Sequence, residues 1–450
     1  MTSPRLWMIG LTTVFGLTLF TVVDGALAKS GQADPGYQPK AGSSHAVTTF
    51  YADVMPILQE NCVDCHQPQG LKPGGMVAPM SFMTYEETRR WAPAIARSVM
   101  EGRMPPWFAA PEHRGTFRDE RYLEEDEKAV LAAWAEDGAP AGDAADAPPM
   151  PAFSFAAHDG WSIGEPDLVI TFPEPFLVED DVVDLYVDIP LELTADQLSE
   201  PRWVKARETR PGSPAVHHIL GAFAGLAPGS TPTIYEEGYS TLLHPGPRTI
   251  EFQMHYNKKP GAGTAVYDQS SSGVVFYEPG DTIRHVVQSD WLPIMRFLIP
   301  AGDPNYSASM VHTFEEDMQI LSFSPHMHLR GKAAKYEITY PDGETEVLLH
   351  VPKYDFNWQH GFRFKEPVLA PKGSELELTL WWDNSADNPS NPDPTRDVRF
   401  GRPTTDEMGF GFMSMTPVEP REIIVGEPIP EDILGTQSAV TDTSDPASRR

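Results

Sequence analysis

Cysteine is almost absent from this sequence, which has 450 residues and two cysteines, Cys62 and Cys65. Two cysteines so close together cannot supply the set of disulfides that staples small secreted domains, and they are too few for a four-cysteine zinc site. The β-rich part of the chain is therefore expected to be free of disulfides and stabilised by packing. The length allows about two to four folding units, each with its own core.

Positive charge is also scarce, because 34 Lys and Arg residues stand against 64 Asp and Glu residues, for a formal net charge of −30. Binding to a phosphate backbone needs a basic surface, so this balance argues against nucleic acid as a partner. Long apolar runs are missing after the N-terminus, and no later segment is predicted to span a bilayer. The 45 prolines and 35 glycines favour turns and short strands, which predicts a mainly β fold.

The N-terminal residues 1–28 have the features of an export signal peptide. Arg5 precedes an apolar run from Leu6 to Val23, and Ala26-Leu27-Ala28 provides the small residues of a signal peptidase site. The run is also long enough to remain as an uncleaved membrane anchor. A periplasmic or secreted protein is therefore expected, with membrane anchoring as the alternative, and the polar residues 29–44 are predicted to be a flexible leader.

A haem-attachment pattern follows in Cys62-Val63-Asp64-Cys65-His66. In Cys-x-x-Cys-His the two thiols form thioether bonds to haem and the adjacent imidazole binds the iron, which fixes the spacing. A structural zinc site would need more ligands nearby, and a thioredoxin-like redox pair would need a βαβ setting that the surrounding sequence does not predict. One covalently bound c-type haem at Cys62, Cys65 and His66 is therefore expected.

Predicted helices around this motif make residues 45–138 resemble a small all-α cytochrome c domain. A capping box at Thr84 and Glu87 begins one helix, which Gly102 can end in a left-handed conformation. A further helix is predicted from Glu124 to Asp137.

The distal haem ligand is predicted to be Met104, which lies in the proline-rich segment Arg103-Met104-Pro105-Pro106-Trp107. Class I cytochromes c place their distal methionine in such a loop after a helix, so this assignment rests on the resemblance. Met76, Met80 and Met83 are alternatives, and Met104 could instead be a packing residue.

The remainder of the chain changes from helical to alternating hydrophobicity. Apolar residues alternate with polar ones from Ile250 to Tyr256 and from Leu376 to Leu380. Short strands separated by Pro/Gly turns predict β-sandwich architecture, with two sandwiches by size. The predicted boundaries are a linker at 139–160, sandwiches at 161–298 and 299–425, and a flexible tail at 426–450.

Five histidines of this β-rich part are candidate metal ligands. His326 and His328 are separated by one residue, so on a strand both imidazoles point to the same face and can reach one ion. His217 and His218 are adjacent, so they need an irregular backbone to bind one ion. His255 lies on the polar face of its predicted strand. Taken singly, each is explained as well by ordinary hydrogen bonding.

The order of the motifs resembles the copper type II, ascorbate-dependent monooxygenases, which include the peptidylglycine hydroxylating and dopamine β-monooxygenases. The resemblance runs from about Asp167 to Thr416, and its last piece is Thr404-Thr405-Asp406-Glu407-Met408. Those enzymes have two tandem jelly-roll-like β-sandwich domains, which hold one copper each and face one another across a solvent-filled cleft. For this chain the resemblance implies an electron-transfer copper at His217, His218 and His255, and an oxygen-activating copper at His326, His328 and Met408.

Met413 and Met415 are alternatives to Met408. The aromatic stretch from Tyr354 to Gln359 is assigned no catalytic role. Met327 is expected to face away from the copper.

The implied activity is copper-dependent hydroxylation of a C–H bond of a small-molecule substrate with O2, with His326, His328 and Met408 at the catalytic centre. Two copper ions and one c-type haem are the expected cofactors. The electron donor would be an ascorbate-like reductant or a redox protein, with electrons passing through the haem. The same ligands would also serve a non-oxygenating electron-transfer or copper-binding protein.

Overall fold

The computed structural model describes residues 47–67, 78, 80–149 and 160–434. Strands make up 38% of the structure and helices 14%, so the fold is mainly β, as predicted. The predicted signal peptide and leader lie outside the described residues, and so do Met76 and the end of the predicted tail. In the part that is described, no helix combines the length and the apolar character needed to cross a membrane.

Helices are concentrated at the N-terminal end of the described chain. Thr84 accepts the backbone N–H of Glu87 at the start of one helix, which confirms the predicted cap. The apolar faces of these N-terminal helices form one small core around Phe50, Leu58 and Trp134. These helices are a π-helix at Phe50–Val54, α1 at Met55–Asn61, α2 at Tyr85–Thr88, α3 at Ala92–Met100 and α4 at Glu125–Glu136, with 3-10 turns at Arg89–Trp91, Pro111–His113 and Ala144–Asp146.

The first β region consists of twelve strands that enclose a core containing Ile170, Ile219 and Phe252. They are β1 (Leu168–Thr171), β2 (Phe176–Val178), β3 (Asp184–Leu193), β4 (Arg202–Arg210), β5 (Val216–Gly221), β6 (Thr233–Ile234), β7 (Tyr239–Leu243), β8 (Arg248–Asn257), β9 (Val266–Asp268), β10 (Ser271–Phe276), β11 (Thr282–Ile283) and β12 (His285–Val286). One sheet has the order β1-β10-β4-β7-β12 with β6 beside β4, another has the order β3-β8-β5, and β2 pairs with β9.

The second β region has two four-stranded sheets that share one core. They have the orders β13-β22-β16-β19 and β15-β20-β17-β18, and β14 pairs with β21. The alternation at Leu376, Leu378 and Leu380 places all three in this core, as predicted. The strands are β13 (Gln288–Pro293), β14 (Leu298–Ile299), β15 (Tyr306–Thr313), β16 (Met318–Met327), β17 (Gly331–Thr339), β18 (Thr345–Val351), β19 (Phe362–Ala370), β20 (Glu375–Trp382), β21 (Val398–Arg399) and β22 (Gly409–Pro417).

The boundary between the two β regions falls earlier than the predicted residue 298. β13 pairs with β22 along its whole length and so belongs to the second region. After β22 the chain returns to the first region, where β23 (Ile423–Ile424) pairs with β11 and the short helix α5 (Glu431–Leu434) packs Ile433 near Trp203. The predicted tail therefore begins with a packed segment, because its isoleucines bury apolar surface.

The helical region does not coincide with the predicted haem domain, because residues 107–119 pack elsewhere and the start of the predicted linker packs with the helices. Trp107 and Phe117 lie in the core of the second β region, and the N–H of Arg118 donates to the carbonyl of Arg363 at 2.7 Å. Residues 107–119 thus bury their aromatic rings against β19 instead of the helices. Conversely, the predicted linker begins inside the helical region, because the N–H of Phe50 donates to the carbonyl of Pro140 at 3.0 Å.

Candidate metal centre

The histidines of the first β region meet because one strand is irregular. His218 pairs with His255 across β5 and β8, but the register shifts between Val216 and His218, which makes His217 the extra residue of a β-bulge. On a regular strand His217 would face the opposite side. With the bulge, ligand atoms of all three histidines lie within 4.8 Å of one another. The structure therefore provides the irregular backbone that the adjacent pair requires.

Asp184 on β3 orients this histidine triad. The Nε2 of His255 donates to Asp184 Oδ1 at 2.6 Å, which leaves its Nδ1 at 3.3 Å from the Nδ1 of His218. Asp184 also accepts from the hydroxyl of Thr404, in the second β region, at 2.9 Å. Burial alone would raise the pKa of Asp184, but the hydrogen bonds from His255 and Thr404 lower it to about 2. The carboxylate is thus charged and fixes the tautomer of His255.

In the second β region, His326 and His328 point their free nitrogens into the interior. The Nδ1 of His326 donates to Gln359 Oε1 at 2.6 Å, and the Nδ1 of His328 lies 3.3 Å from the carbonyl of Asp406. Both Nε2 atoms are buried and have no hydrogen-bond partner among the described residues. Metal-binding imidazoles commonly donate one nitrogen to the protein in this way while the other binds the ion.

Met408 lies between Glu407, which accepts from the backbone N–H of His328, and Gly409, which pairs with Met327. The last register pair of β16 and β22 joins Met327 to Gly409, so one step further along the ladder brings Met408 level with His328. Met408 is 8% exposed and belongs to none of the apolar clusters that the described residues form. Met413 and Met415, the alternatives, are part of the second core.

Met327 is packed in that same core. It lies on the face of β16 opposite to His326, as the alternation predicts. The hydroxyl of Tyr354 donates to its carbonyl at 2.8 Å and accepts from its N–H at 3.0 Å. The residue between the two histidines therefore has a packing role.

The two histidine sets are in contact with each other. The ring centroids of His218 and His326 are 5.9 Å apart, and both side chains are buried. This differs from the expected arrangement, in which two copper sites face one another across a solvent-filled cleft. Here five imidazoles from two β regions form one cluster, because Asp184 and Thr404 hold the regions together beside it.

Burial favours the neutral form of four imidazoles of the cluster, those of His217, His218, His326 and His328. It lowers the pKa of His217 to about 3 and the pKa of His326 to about 4. The pKa values of His218 and His328 are also held well below the ordinary value, with burial as the main cause and the neighbouring imidazoles adding to it. A neutral imidazole has the free lone pair that a metal ion needs, so these four side chains are in their ligand form at pH 7.

The stretch from Tyr354 to Gln359, to which no catalytic role was assigned, contacts both sets. Phe356 stacks on His217 with ring centroids 4.4 Å apart, and Gln359 binds His326. The segment forms a turn, in which Asp355 pairs with Trp358, and this turn lies against the histidine cluster. A Gln gives no metal signal of its own in the sequence, and only the tertiary contact reveals its role.

Glu407 anchors the segment that carries Met408. Its buried carboxylate accepts from the backbone N–H groups of His328 and Arg330, at 2.9 and 2.7 Å, and from the indole of Trp382 at 3.1 Å. It thereby ties the residue before Met408 to the backbone of His328. The sequence contained this glutamate within the motif but gave no reason to assign it a structural role.

The haem motif lies just after α1. The Nδ1 of His66 is 3.2 Å from the carbonyl of Met80, and its ring stacks on Phe82 at 4.2 Å. If Nδ1 donates to this carbonyl, Nε2 is left free for a metal. Met80 then lies behind the imidazole, on the side opposite to an iron at Nε2, which disfavours it as the distal ligand. Burial raises the pKa of the Cys62 thiol to about 12.

Met104 is 39% exposed, at the point where the chain leaves the helical region. Met83, its other described alternative, packs against the helical core, and Met76 lies outside the described residues. The surroundings are therefore compatible with Met104 as a ligand but do not bring it to His66.

No protein-family model matches this chain, and no curated protein matches it. Among solved structures, it is similar to the infectious bursal disease virus VP2 subviral particle, at 12% identity and a TM-score of 0.16, with 56% of this chain and 71% of that chain covered. A structure of the infectious bursal disease virus Gx strain is similar at 10% identity and a TM-score of 0.17, with the same coverage. Similarities of this size support no argument about fold or function.

Proposed function

We propose that this protein is a copper-dependent monooxygenase that hydroxylates a C–H bond of a small substrate with O2. The observation that carries the proposal is the five-histidine cluster, which two distant parts of the sequence build in one buried place. Chance histidines on two β regions would have no reason to converge with unpartnered ring nitrogens.

The residues fit copper by the chemistry of their donors. Imidazole serves both oxidation states of copper, and a thioether favours Cu(I). His217, His218 and His255 would hold one ion, and His326, His328 and Met408 the other. The buried Nε2 atoms of His326 and His328, which lack protein partners in the described chain, are the groups that an ion would satisfy. Bound copper would supply one-electron redox chemistry and reaction with oxygen.

The protein's own groups orient these ligands and exclude water. Asp184 and Gln359 each accept a ring N–H and so fix which nitrogen of His255 and of His326 faces the interior. Glu407 fixes the backbone beside Met408. The burial of His218, His326 and His328 keeps bulk solvent from the cluster.

The finer fold assignment follows from this proposal. The first and second β regions would be the tandem jelly-roll-like sandwiches of the copper monooxygenases, and the helical region would be a cytochrome c-like domain. Cys62, Cys65 and His66 supply the donor set for a c-type haem, with Met104 as the proposed distal ligand. The haem would accept electrons from an ascorbate-like reductant or a redox protein. A periplasmic or secreted location is proposed, since c-type haem is attached outside the cytoplasm in bacteria, with membrane anchoring as the alternative.

A second candidate is a copper and haem electron-transfer or copper-binding protein. Its support is the tight approach of His218 to His326. In addition, two cavities in the described part of the chain, lined in part by Ser324 and Arg363 and by Phe223 and Arg248, include none of the six proposed copper ligands in their walls. Such a cluster could transfer electrons without any substrate beside it.

Oxygen consumption with product analysis tests the two candidates. Copper- and haem-loaded protein is reduced anaerobically, mixed with oxygen and a panel of amine, amide, aromatic and thioether compounds, and the reoxidation of the haem is followed. A monooxygenase gives a hydroxylated product, and reoxidation is slowed in His326→Ala and Met408→Ala. If these variants reoxidise as fast as the wild type and no compound is hydroxylated, the monooxygenase proposal is wrong.

A further inference from the structure

Arg121 joins the haem motif to the second β region. Its guanidinium Nη1 lies 3.6 Å from the Sγ of Cys65, and its Cζ lies 5.9 Å from the ring centroid of Trp358. Trp358 is 6% exposed, and Arg121 and Cys65 are partly exposed. One side chain therefore touches both a proposed haem-bearing thiol and a buried indole of the copper-binding part of the chain.

A second contact runs from the segment after Met104. Trp107 is 6% exposed, and its ring packs edge-on against His360 with centroids 4.8 Å apart. His360 in turn lies parallel to Trp358 at 6.3 Å. Two contacts thus reach the segment Trp358-Gln359-His360. One comes from Arg121, which lies beside Cys65, and the other from Trp107, which follows Met104 in the chain.

Gln359, the central residue of these three, binds a proposed copper ligand. Its Oε1 accepts from the Nδ1 of His326 at 2.6 Å, and its backbone N–H donates to the carbonyl of Pro228 at 2.6 Å. Its Nε2 donates to the carbonyl of Phe356 at 3.0 Å. The residue is buried and held on three sides, so the contact with His326 is fixed.

We infer that Trp358-Gln359-His360 is the route by which electrons pass from the haem to the copper site at His326 and His328. This inference rests on the proposed function, because it needs both cofactors. Electron tunnelling weakens steeply across open gaps and less steeply through bonds and packed contacts, and this segment replaces a gap with covalent bonds and one short hydrogen bond. With haem held at Cys62, Cys65 and His66 and copper at His326 and His328, one electron would pass from ferrous haem, leaving it ferric, to Cu(II), giving Cu(I), with no bond made or broken. An ascorbate-like reductant or redox protein then reduces the haem again.

The alternative is that electrons from the haem first reach the copper site at the histidine triad of the first β region. Phe356, two residues before Trp358, stacks on His217 at 4.4 Å and would serve that entry. Phe356 makes no described contact with the helical region, whereas Trp358 contacts Arg121. The two aromatic residues therefore form a matched pair for testing which copper is reduced first.

The experiment is anaerobic electron transfer in the full-length protein carrying haem and Cu(II). The haem is reduced by a light flash, its reoxidation is followed by absorbance, and the loss of each Cu(II) signal is followed by electron paramagnetic resonance. Trp358→Leu should slow reoxidation severalfold, because it removes the indole that contacts Arg121. Trp358→Tyr should retain most of the rate, and Phe356→Leu should leave the first phase unchanged.

A second readout uses copper-free protein. Arg121→Met removes a positive charge beside Cys65, so the reduction potential of the haem should fall, because less positive charge stabilises the reduced form less. An unchanged potential would contradict the placement of Arg121 beside the haem. Equal transfer rates in wild type and Trp358→Leu, or slowing by Phe356→Leu alone, would overturn the route.

The failures of the route and of the proposed function can be told apart. A matured chain without covalent haem would overturn the route and leave the copper monooxygenase proposal to be tested by its own hydroxylation assay. A chain that hydroxylates substrate but transfers electrons at the wild-type rate in Trp358→Leu overturns only the route. Transfer that depends on Trp358 in a chain that hydroxylates none of the compounds supports the route and contradicts the monooxygenase assignment.

Discussion

The two histidine sets differ in how much of their hydrogen bonding is already satisfied. In the triad, His255 donates to Asp184 and lies within hydrogen-bond distance of His218, whereas both ring nitrogens of His217 are buried without a partner in the described chain. In the pair, each Nδ1 is engaged by a group outside the set, and the Nε2 atoms of His326 and His328 are left without partners in the described chain.

The difference concerns preorganisation. In the pair both Nε2 atoms are free of protein partners, so binding an ion there breaks no hydrogen bond within the set. In the triad an ion must displace the contact between His218 and His255. We therefore expect the pair to bind copper more readily than the triad, and each prediction below changes one side of this comparison.

The largest expected effect is in His328→Ala. This variant should lose the copper of the pair. Because that is the proposed catalytic site, the hydroxylation rate should fall at least about a hundredfold, which is the upper end of the effect of losing only a group that hydrogen-bonds a ligand. His217→Ala should retain the copper of the pair and weaken the triad. Copper content per chain and product formation measure both. Equal copper loss from both variants would show that the five imidazoles bind as one site.

Asp184→Asn should weaken copper binding at the triad by about 10–100-fold, because the carboxylate orients His255. The pair should be unaffected. Competition with a chelator followed by paramagnetic resonance of each site measures this. Asp188→Asn is the matched control, because Asp188 lies on the same strand and forms an exposed ion pair with Arg402. Weakening of both sites by Asp184→Asn would argue that it acts by separating the β regions.

Glu407→Gln should lower the free energy of unfolding by about 1–3 kcal/mol. The new side-chain NH2 would face a backbone N–H of His328 or Arg330, whose hydrogen bond the Glu407 side chain now accepts. Urea denaturation of the apoprotein checks this value. Asp406→Asn is the control, since its side chain is in a half-exposed ion pair with Arg396 and such pairs contribute about 0–1 kcal/mol. An unchanged stability in Glu407→Gln would mean that the segment bearing Met408 is anchored elsewhere.

The smallest effect is expected for Met327→Leu. Met327 is packed in the second core, and a swap that conserves volume costs less than about 1.5 kcal/mol. Copper at the pair should be unchanged, whereas Met408→Leu should weaken Cu(I) binding there. If Met327→Leu lost copper and Met408→Leu kept it, the proposed ligand set would be incorrect.

Local patterns in the sequence were sufficient to predict individual helices and strands and which face of a strand is buried. The cap at Thr84 and the inward alternation of Leu376, Leu378 and Leu380 are short-range properties, and the structure has both. The boundaries were harder to predict, because aromatic residues such as Trp107 and Phe117 pack wherever the largest apolar surface is available. That surface belongs to strands more than two hundred residues away.

The sequence by itself determined a mainly β chain, the Cys-x-x-Cys-His pattern, and the placement of His326 and His328 on one face, because each depends on spacing along the chain. The tertiary structure alone decided that a bulge turns His217 toward His255, that the two histidine sets meet, and that Gln359 joins His326 to a segment touching the helical region. These features depend on how distant strands pair and pack, and that information is spread over the whole chain.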